Sequence, residues 1–119
     1  MTTPAPVDVN DDTRDLFDAL AHGDPGLLGA GLEARAELQV ASRLDSRAYA
    51  LVKIAALIAV DAPPASYVWQ VANAIGEGAT PEDILGVLIA VAPQVGGPRV
   101  VAAAPEIMVA LGLTIADDV

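Results

Sequence analysis

The spacing of apolar residues along this chain predicts α-helices and shows no pattern typical of a strand. Residues 11–21 form a first amphipathic segment. A second helix is predicted to start at Asp24, a good N-cap that proline follows, and to end near Arg43. Residues 1–9 are rich in proline and threonine and are predicted to be an N-terminal arm. The apolar side of the first helix consists of Leu16, Phe17 and Leu20.

Two later segments are apolar on almost every side. The helix predicted over 46–60 begins after the capping residue Asp45, and from Ala48 onward its one charge is Lys53. The helix predicted over 81–95 starts with proline after a threonine cap and has an acidic residue at its third position, like a capping box. Helices without a polar side are typical of a protein interior, so we expect both to be buried.

Proline and glycine bound the remaining helices. One begins at Pro63-Pro64 and runs to about Ile75, and the last begins after the Gly-Gly-Pro sequence at 96–98. Pro105 is predicted to kink this last helix, because proline removes a backbone hydrogen bond. The chain is therefore predicted to be all-α, with about six helices in a single domain over residues 10–119.

The composition of the 119-residue chain excludes several kinds of chemistry. It has no cysteine, which rules out disulfides, thiolate metal sites and thiol redox cycles. With a single histidine we expect no zinc or iron site, and we predict no cofactor. The net charge of -10 would repel nucleic acid and anionic lipid head groups, so neither is an expected partner.

The apolar content of the chain predicts association between subunits. Hydrophobic residues make up 54% of the chain, yet no uncharged stretch reaches the roughly 18 apolar residues that suggest a membrane span. The N-terminus has neither a basic region nor an apolar core, so we expect no signal peptide and a cytoplasmic location. A domain of this size buries only about two-thirds of its unfolded surface, and the excess apolar residues therefore predict an obligate homo-oligomer.

The helix that begins near Pro64 carries a polar stripe. Four polar residues lie within about 60° of one another at helical spacing: Ser66, Gln70, Asn73 and Glu77. The stripe is either the solvated face of a surface helix or the lining of a pocket. In the second interpretation Ser66 and Gln70 are candidate catalytic residues, and the residues that would contact a ligand are Tyr67, Trp69 and Asn73.

Lys53 is a third candidate catalytic residue, because it is the chain's single lysine and lies in an apolar helix. A lysine in an apolar pocket can act as a base or form a Schiff base. Alternatively its stem packs against neighbours while its ammonium reaches a carboxylate or water. We expect His22 to lie in a loop without a catalytic role. Arg99 is expected to pair with a carboxylate, with anion binding as the alternative.

One segment, residues 78–88, resembles a known superfamily. Its sequence Gly-Ala-Thr-Pro-Glu-Asp-Ile-Leu-Gly-Val-Leu is similar to the Gly-Ala-Thr-x-Glu-Glu-Ile-x-x-Val-Leu segment of the carboxymuconolactone decarboxylase and alkylhydroperoxidase D superfamily. Leu44-Asp45 and Gly96-Gly97-Pro98 also resemble that family, over about residues 34–112 in all. The resemblance implies an all-α subunit with a helical hairpin core, assembled as trimers or hexamers, with sites near subunit contacts.

The residues that carry the chemistry of this superfamily are missing here. The peroxidase branch has Cys-x-x-Cys-x-x-x-His on the fourth helix, and the matching positions are Pro63, Ser66 and Gln70. The decarboxylase branch has glutamate and histidine in place of Ser66 and Gln70, and the family's glutamate on the third helix falls at or near Ala50. Thiol-dependent peroxide reduction is excluded because no thiol is present. The resemblance therefore implies the location of a pocket without its usual reactivity.

Three functions remain open at this point. The first is a cofactor-free lyase, decarboxylase or isomerase that uses Lys53, Ser66 and Gln70. The second is a binding module that holds a small polar or aromatic ligand without turnover. The third is a structural assembly protein whose main product is its oligomer. We favour a catalytically altered or degenerate family member with a small-molecule pocket near subunit contacts.

Overall fold

A computed structural model of the protein describes residues 5–24 and 35–114, and this part of the chain is all-α. Its helices are α1 (Asp11–Ala21), α2 (Arg35–Ser42), α3 (Ser46–Val60), α4 (Pro64–Gly76), α5 (Pro81–Val95) and α6 (Gly97–Ala110). The described residues form no strand. The fold class predicted from the sequence is therefore confirmed.

The helix boundaries follow the predicted capping residues. α3 begins after Asp45, whose Oδ1 accepts a hydrogen bond from the backbone N–H of Ala48 at 2.7 Å. α5 begins after Thr80, which forms a capping box with Asp83. The Thr80 hydroxyl accepts from the Asp83 N–H at 3.1 Å, and the Asp83 carboxylate accepts from the Thr80 N–H at 2.9 Å. Both caps satisfy backbone donors that a helix start would otherwise leave without a partner.

Some predicted elements extend beyond the described residues. α2 is the second half of the second predicted helix, whose first half, 25–34, lies outside the described residues. In the predicted N-terminal arm, residues 5–9 are exposed and not helical, and residues 1–4 lie outside the described part of the chain. α6 continues through Pro105, and the kink expected there stays a prediction.

The chain divides into two compact units, residues 1–42 and 43–119. The described helices of the first unit are α1 and α2, and α1 has no buried residue. The second unit contains α3 to α6 and a single apolar core. A single domain over 10–119 stays a prediction.

The four helices of the second unit pack in a ring. α3 packs against α4 and α5, and α6 packs against the same two helices, so that α3 and α6 occupy opposite corners. α3 and α6 also touch across this diagonal. Each helix contributes one stripe of side chains to the core, and the largest fully buried ones are Tyr67, Ile54, Ile58, Ile84 and Val71.

α3 and α5 are buried on one face only, which corrects the expectation that both are buried on all sides. On α3, Ile54 and Ile58 are buried, whereas Val60 is 69% exposed. On α5, Ile84 is buried, whereas Ile89 is 65% exposed. Helices packed side by side around one core cover only the faces that point toward that core. The other apolar faces of α3 and α5 are therefore exposed in the single subunit.

An ion pair joins the first turns of α3 and α5. Arg47 Nε donates to Asp83 Oδ2 at 3.0 Å, and Arg47 Nη2 donates to Asp83 Oδ1 at 2.5 Å. This is the two-bond contact that a guanidinium and a carboxylate form best. The bonds from Arg47, followed by those from Thr80, lower the pKa of Asp83 to about 2. Asp83 thus caps α5 and connects it to α3.

We predict that Asp83→Asn lowers the free energy of unfolding at neutral pH and that this loss disappears in acid. Because the pKa of Asp83 is lower in the folded protein, its carboxylate stabilises the fold above the unfolded-state pKa of about 3.9. That contribution is lost as the pH falls toward the folded-state pKa of about 2. Urea unfolding of parent and variant from pH 7 down to pH 2 measures the difference.

Glu82→Gln is the matched control for this prediction, because Glu82 is an exposed acid in the same first turn of α5. Its effect on the free energy of unfolding should be much smaller at every pH. If the difference between parent and Asp83→Asn stays constant down to pH 2, the ionised carboxylate does not stabilise the fold.

Candidate functional site

The polar stripe predicted on α4 runs along the edge of the buried face. Its half-buried members are Ser66 and Gln70, and its exposed members are Asn73 and Glu77. Ser66 and Gln70 each directly precede a core residue of α4. At about 100° per residue this spacing puts them beside the buried face. Ser66 and Gln70 are therefore the part of the stripe that can line a pocket, whereas Asn73 lies in solvent.

The two aromatic residues predicted to flank the stripe lie on different sides of α4. Tyr67 is in the core with 1% of its surface exposed, whereas Trp69 is 76% exposed. The structure therefore does not bring these two side chains together around one ligand. Burial, with the nearby carboxylates of Asp61 and Glu106, raises the pKa of Tyr67, so its hydroxyl stays protonated at neutral pH.

Lys53 is half-buried on α3, and its ammonium lies over an aromatic ring. The Nζ atom is 5.1 Å from the centroid of the Tyr49 ring, one helical turn earlier, which is a cation–π distance. Among the described residues no carboxylate forms an ion pair with this ammonium. Lys53 is thus a cation whose partner in this part of the chain is an aromatic face.

Lys53 and Gln70 lie at nearly the same level of the α3–α4 pair. Residues 61–63 connect the two helices, which pack against each other and therefore run antiparallel. Lys53 is about 10 Å along α3 from this connection, and Gln70 is about 9 Å along α4 from it, at the rise of an α-helix. Ser66 lies one turn closer to the connection. The three predicted catalytic residues therefore occupy one stretch of a single helix pair.

The side-chain oxygen of Gln70 is buried and accepts no hydrogen bond from the described residues. The Lys53 ammonium therefore does not bond to it. A buried acceptor without a donor costs roughly 1–3 kcal/mol, and for this reason nearly all buried polar atoms in folded proteins are satisfied. Gln70 Oε1 is thus an acceptor that lacks a donor from the described part of its own chain.

The second unit has three surface cavities, and of their lining residues the sequence had indicated Arg99. An apolar cavity of about 290 Å³ lies between α5 and α6 and includes Leu85, Leu88 and Ile107. A cavity of about 560 Å³ lies near the end of α4 and the start of α5. The third, of about 360 Å³, is lined by Asp61 and Arg99. None of these three cavities is lined by any of the six predicted site residues.

Arg99 pairs with a carboxylate, as predicted from the sequence. Its Nη1 atom is 3.5 Å from Asp61 Oδ2. Asp61 ends α3 in the left-handed conformation, with a φ of 53°. The sequence did not indicate that the partner is Asp61, because this pair depends on the conformation at the end of α3 and on where α6 packs. His22 is exposed just after α1, as expected for a loop histidine.

The described residues do not form a recognisable metal site. They contain no group of three or more histidine, aspartate or glutamate side chains that could hold a metal ion. Among the described helices, none is both long enough and apolar enough to span a bilayer. The absence of a cofactor stays a prediction.

The chain matches one known protein family. The sequence model that describes the carboxymuconolactone decarboxylase family matches residues 25–107, more than two thirds of the chain. The chain belongs to the carboxymuconolactone decarboxylase family. No curated protein and no solved structure matches it significantly.

In this carboxymuconolactone decarboxylase family protein, α4 is the helix on which the resemblance implies the thiol site of the peroxidase branch. Pro63 is the N-cap of α4, and Ser66 and Gln70 follow in its first half. A helix N-terminus lowers the pKa of a thiol, but this chain contains no cysteine. These positions therefore offer a hydroxyl and an amide in place of a redox pair.

We predict that Gln70→Met raises the free energy of unfolding by about 1 kcal/mol or more. Methionine keeps the length of the side chain and removes the buried oxygen that accepts no hydrogen bond, so a desolvation cost disappears. Urea unfolding of the parent and the variant without added ligand measures this change.

Gln94→Met is the matched control, because Gln94 is exposed on α5. It should change the free energy of unfolding by about 0.5 kcal/mol or less. If Gln70→Met is instead less stable than the parent, Gln70 Oε1 makes a favourable bond in solution, and the prediction is wrong.

Proposed function

We propose that this carboxymuconolactone decarboxylase family protein binds a small polar molecule at Ser66, Gln70 and Lys53, near a contact between subunits, without thiol peroxidase chemistry. The observation that carries this proposal is the buried Oε1 atom of Gln70, which accepts no hydrogen bond from the described residues. A ligand would supply the missing N–H or O–H donor. Burial makes such a bond stronger than it is in water.

Lys53 adds a positive charge to the proposed site. Its ammonium has an aromatic partner, Tyr49, and no carboxylate partner in the described part of the chain. Its charge is therefore not neutralised by a neighbouring carboxylate, and it favours ligands that carry a negative charge or a strong dipole. The half-buried Ser66 hydroxyl can both donate and accept a hydrogen bond. Together these groups can orient a ligand with several polar atoms.

A cofactor-free lyase, decarboxylase or isomerase is the second candidate function. The observation that favours it is that Lys53 lies level with Gln70, where its charge could stabilise negative charge that develops on a substrate. Serine and glutamine are neither strong acids nor strong bases, and no histidine is near α4 in the sequence to activate Ser66. In this alternative Ser66 and Gln70 orient the substrate, and Lys53 is the electrostatic catalyst.

Exposed apolar side chains support assembly into a homo-oligomer. Four large apolar residues on α3 and α5 are more than half exposed: Val52, Val60, Leu85 and Ile89. Soluble monomers rarely leave large apolar patches in water. The family resemblance implies a trimer or hexamer. α3 carries both Lys53 and two of these exposed residues, which is why we propose that the ligand site lies close to the contact.

The ligand site is tested by screening the full-length chain for thermal stabilisation with small carboxylic acids, alcohols and amides. We predict that a stabilising compound binds at least about tenfold more weakly to Gln70→Met and to Lys53→Met, a difference of about 1.4 kcal/mol. The first variant loses the acceptor and the second loses the cation. Isothermal titration calorimetry measures each affinity.

Gln94→Met again provides the control and should bind the compound as the parent does. Equal affinities of parent and Gln70→Met would put the ligand elsewhere and contradict the proposal. Conversion of a bound compound, followed by NMR, would favour the enzyme over the binding module. If no compound of these classes binds, the structural assembly protein is favoured.

We also predict that the parent protein sediments as an oligomer at micromolar concentration, well above the 12.1 kDa of one chain. Ile89→Glu should shift it toward smaller species, because a charge on this exposed apolar face of α5 would be buried without a partner in a contact. Val7→Glu, at an exposed position before α1, is the control and should leave the assembly unchanged. A folded monomeric parent would contradict the prediction.

A further inference from the structure

α1 has a capping residue at each end, and none of its side chains belongs to the hydrophobic core. Its N-cap Asn10 accepts a hydrogen bond from the Thr13 N–H at 2.8 Å, and its C-cap is His22. These bonds satisfy backbone groups that a helix terminus leaves without a partner. No residue of α1 is buried. The helix is therefore capped at both ends while its large apolar side chains are exposed.

Three large apolar side chains share one side of α1. Leu16, Phe17 and Leu20 are 38%, 67% and 50% exposed, and they lie within about 100° of one another on the helix. Phe17 and Leu20 have the i, i+3 spacing of the anchors that an amphipathic helix inserts into an apolar groove. Such a stripe, with an exposed aromatic ring among its members, is typical of a binding surface.

The rest of α1 is strongly acidic. Three aspartates, Asp11, Asp15 and Asp18, lie on the sector of α1 away from the apolar stripe, and Asp12 lies beside the stripe, one turn before Leu16. Residues 5–24 together contain six acidic side chains and one arginine, whereas residues 43–114 contain six acidic and four basic ones. The negative charge of the described residues is thus concentrated around α1. Because a helix is only about 10 Å across, comparable to the Debye length at physiological salt, this charge acts on whatever contacts the apolar stripe.

We propose that α1 is a docking helix for a partner protein that presents an apolar groove bordered by lysine or arginine residues. The apolar stripe would fill the groove, and the aspartates would face its basic border. This interaction is independent of the ligand site on α3 and α4.

The charge of α1 favours a basic partner protein over a second copy of the chain. The described residues 43–114 carry six acidic and four basic side chains, so a second copy presents a net negative charge to α1. Two copies of α1 would bring their aspartates together, which costs free energy through like-charge repulsion. A basic partner is also attracted over a distance, which raises the rate of association at low salt.

Binding to the apolar stripe can be followed at Phe17, because it is the only phenylalanine of the chain. Labelling the full-length protein with fluorophenylalanine places one ¹⁹F reporter in the apolar stripe. The probe is a synthetic 14-residue helical peptide with leucines on one side and lysines on the other. A second peptide with glutamate in place of lysine is the charge control. We expect the ¹⁹F resonance to shift with the lysine peptide and to remain unchanged with the glutamate peptide.

Variants at positions other than Phe17 keep the ¹⁹F reporter, and they distinguish the contribution of the apolar stripe from that of the aspartates. Leu20→Ser and the double variant Asp11→Asn/Asp15→Asn should each bind the lysine peptide at least about tenfold more weakly. Ala19→Ser, outside the three residues of the apolar stripe, should bind it as the parent does. Circular dichroism checks that each variant keeps its helix content.

The proposal is overturned if the lysine peptide leaves the ¹⁹F resonance unshifted, or if the glutamate peptide binds equally well. It is also overturned if Leu20→Ser binds as tightly as Ala19→Ser. A ¹⁹F resonance that changes on dilution without any peptide would show that a second copy covers the stripe, which also excludes the proposed occupant.

Discussion

Each helix of the second unit buries a single stripe of side chains, and this constraint shapes the rest of the subunit. Tyr67, Ile54 and Ile84 meet in the common core, and the opposite faces of α3 and α5 stay outside it. The core is therefore small relative to the apolar content of the chain. Because burial of apolar surface is the main favourable term in folding, the uncovered faces are a source of free energy for association. The proposed oligomer follows from this imbalance.

The candidate site lies where neighbouring side chains of α4 differ in burial, with Tyr67 buried and Ser66 and Gln70 half-buried. Tyr67 points into the core, and Ser66 and Gln70 lie at its edge, where a side chain is only partly buried. In the superfamily's peroxidase branch, as the resemblance implies, these positions hold a thiol and an imidazole. Here a hydroxyl and an amide replace them, which removes redox and acid–base chemistry and leaves hydrogen bonding. These remaining groups are the basis of the ligand site that we propose.

Charge is distributed unevenly along the chain, and the two units use it differently. In the second unit charged side chains form specific contacts, such as the pairs that Asp83 makes with Arg47 and Asp61 makes with Arg99. Around α1 most of the charge is of one sign and surrounds an exposed apolar stripe. The first arrangement connects helices within the unit. The second is suited to a partner that brings the opposite charge.

The sequence by itself determined the local structure and part of the chemistry. The caps Asp45 and Thr80 act over three or four residues, so the first residues of α3 and α5 could be predicted, and the lack of cysteine excluded thiol chemistry. Only the tertiary structure decided which face of α3 is covered. In a helix that is apolar on nearly every side, the sequence does not indicate which face packs against the core. The tertiary structure likewise decided that Tyr67 is buried, that Trp69 is exposed and that the oxygen of Gln70 has no donor. Burial and hydrogen bonding depend on which helix packs alongside, and the spacing of residues within one helix does not contain that information.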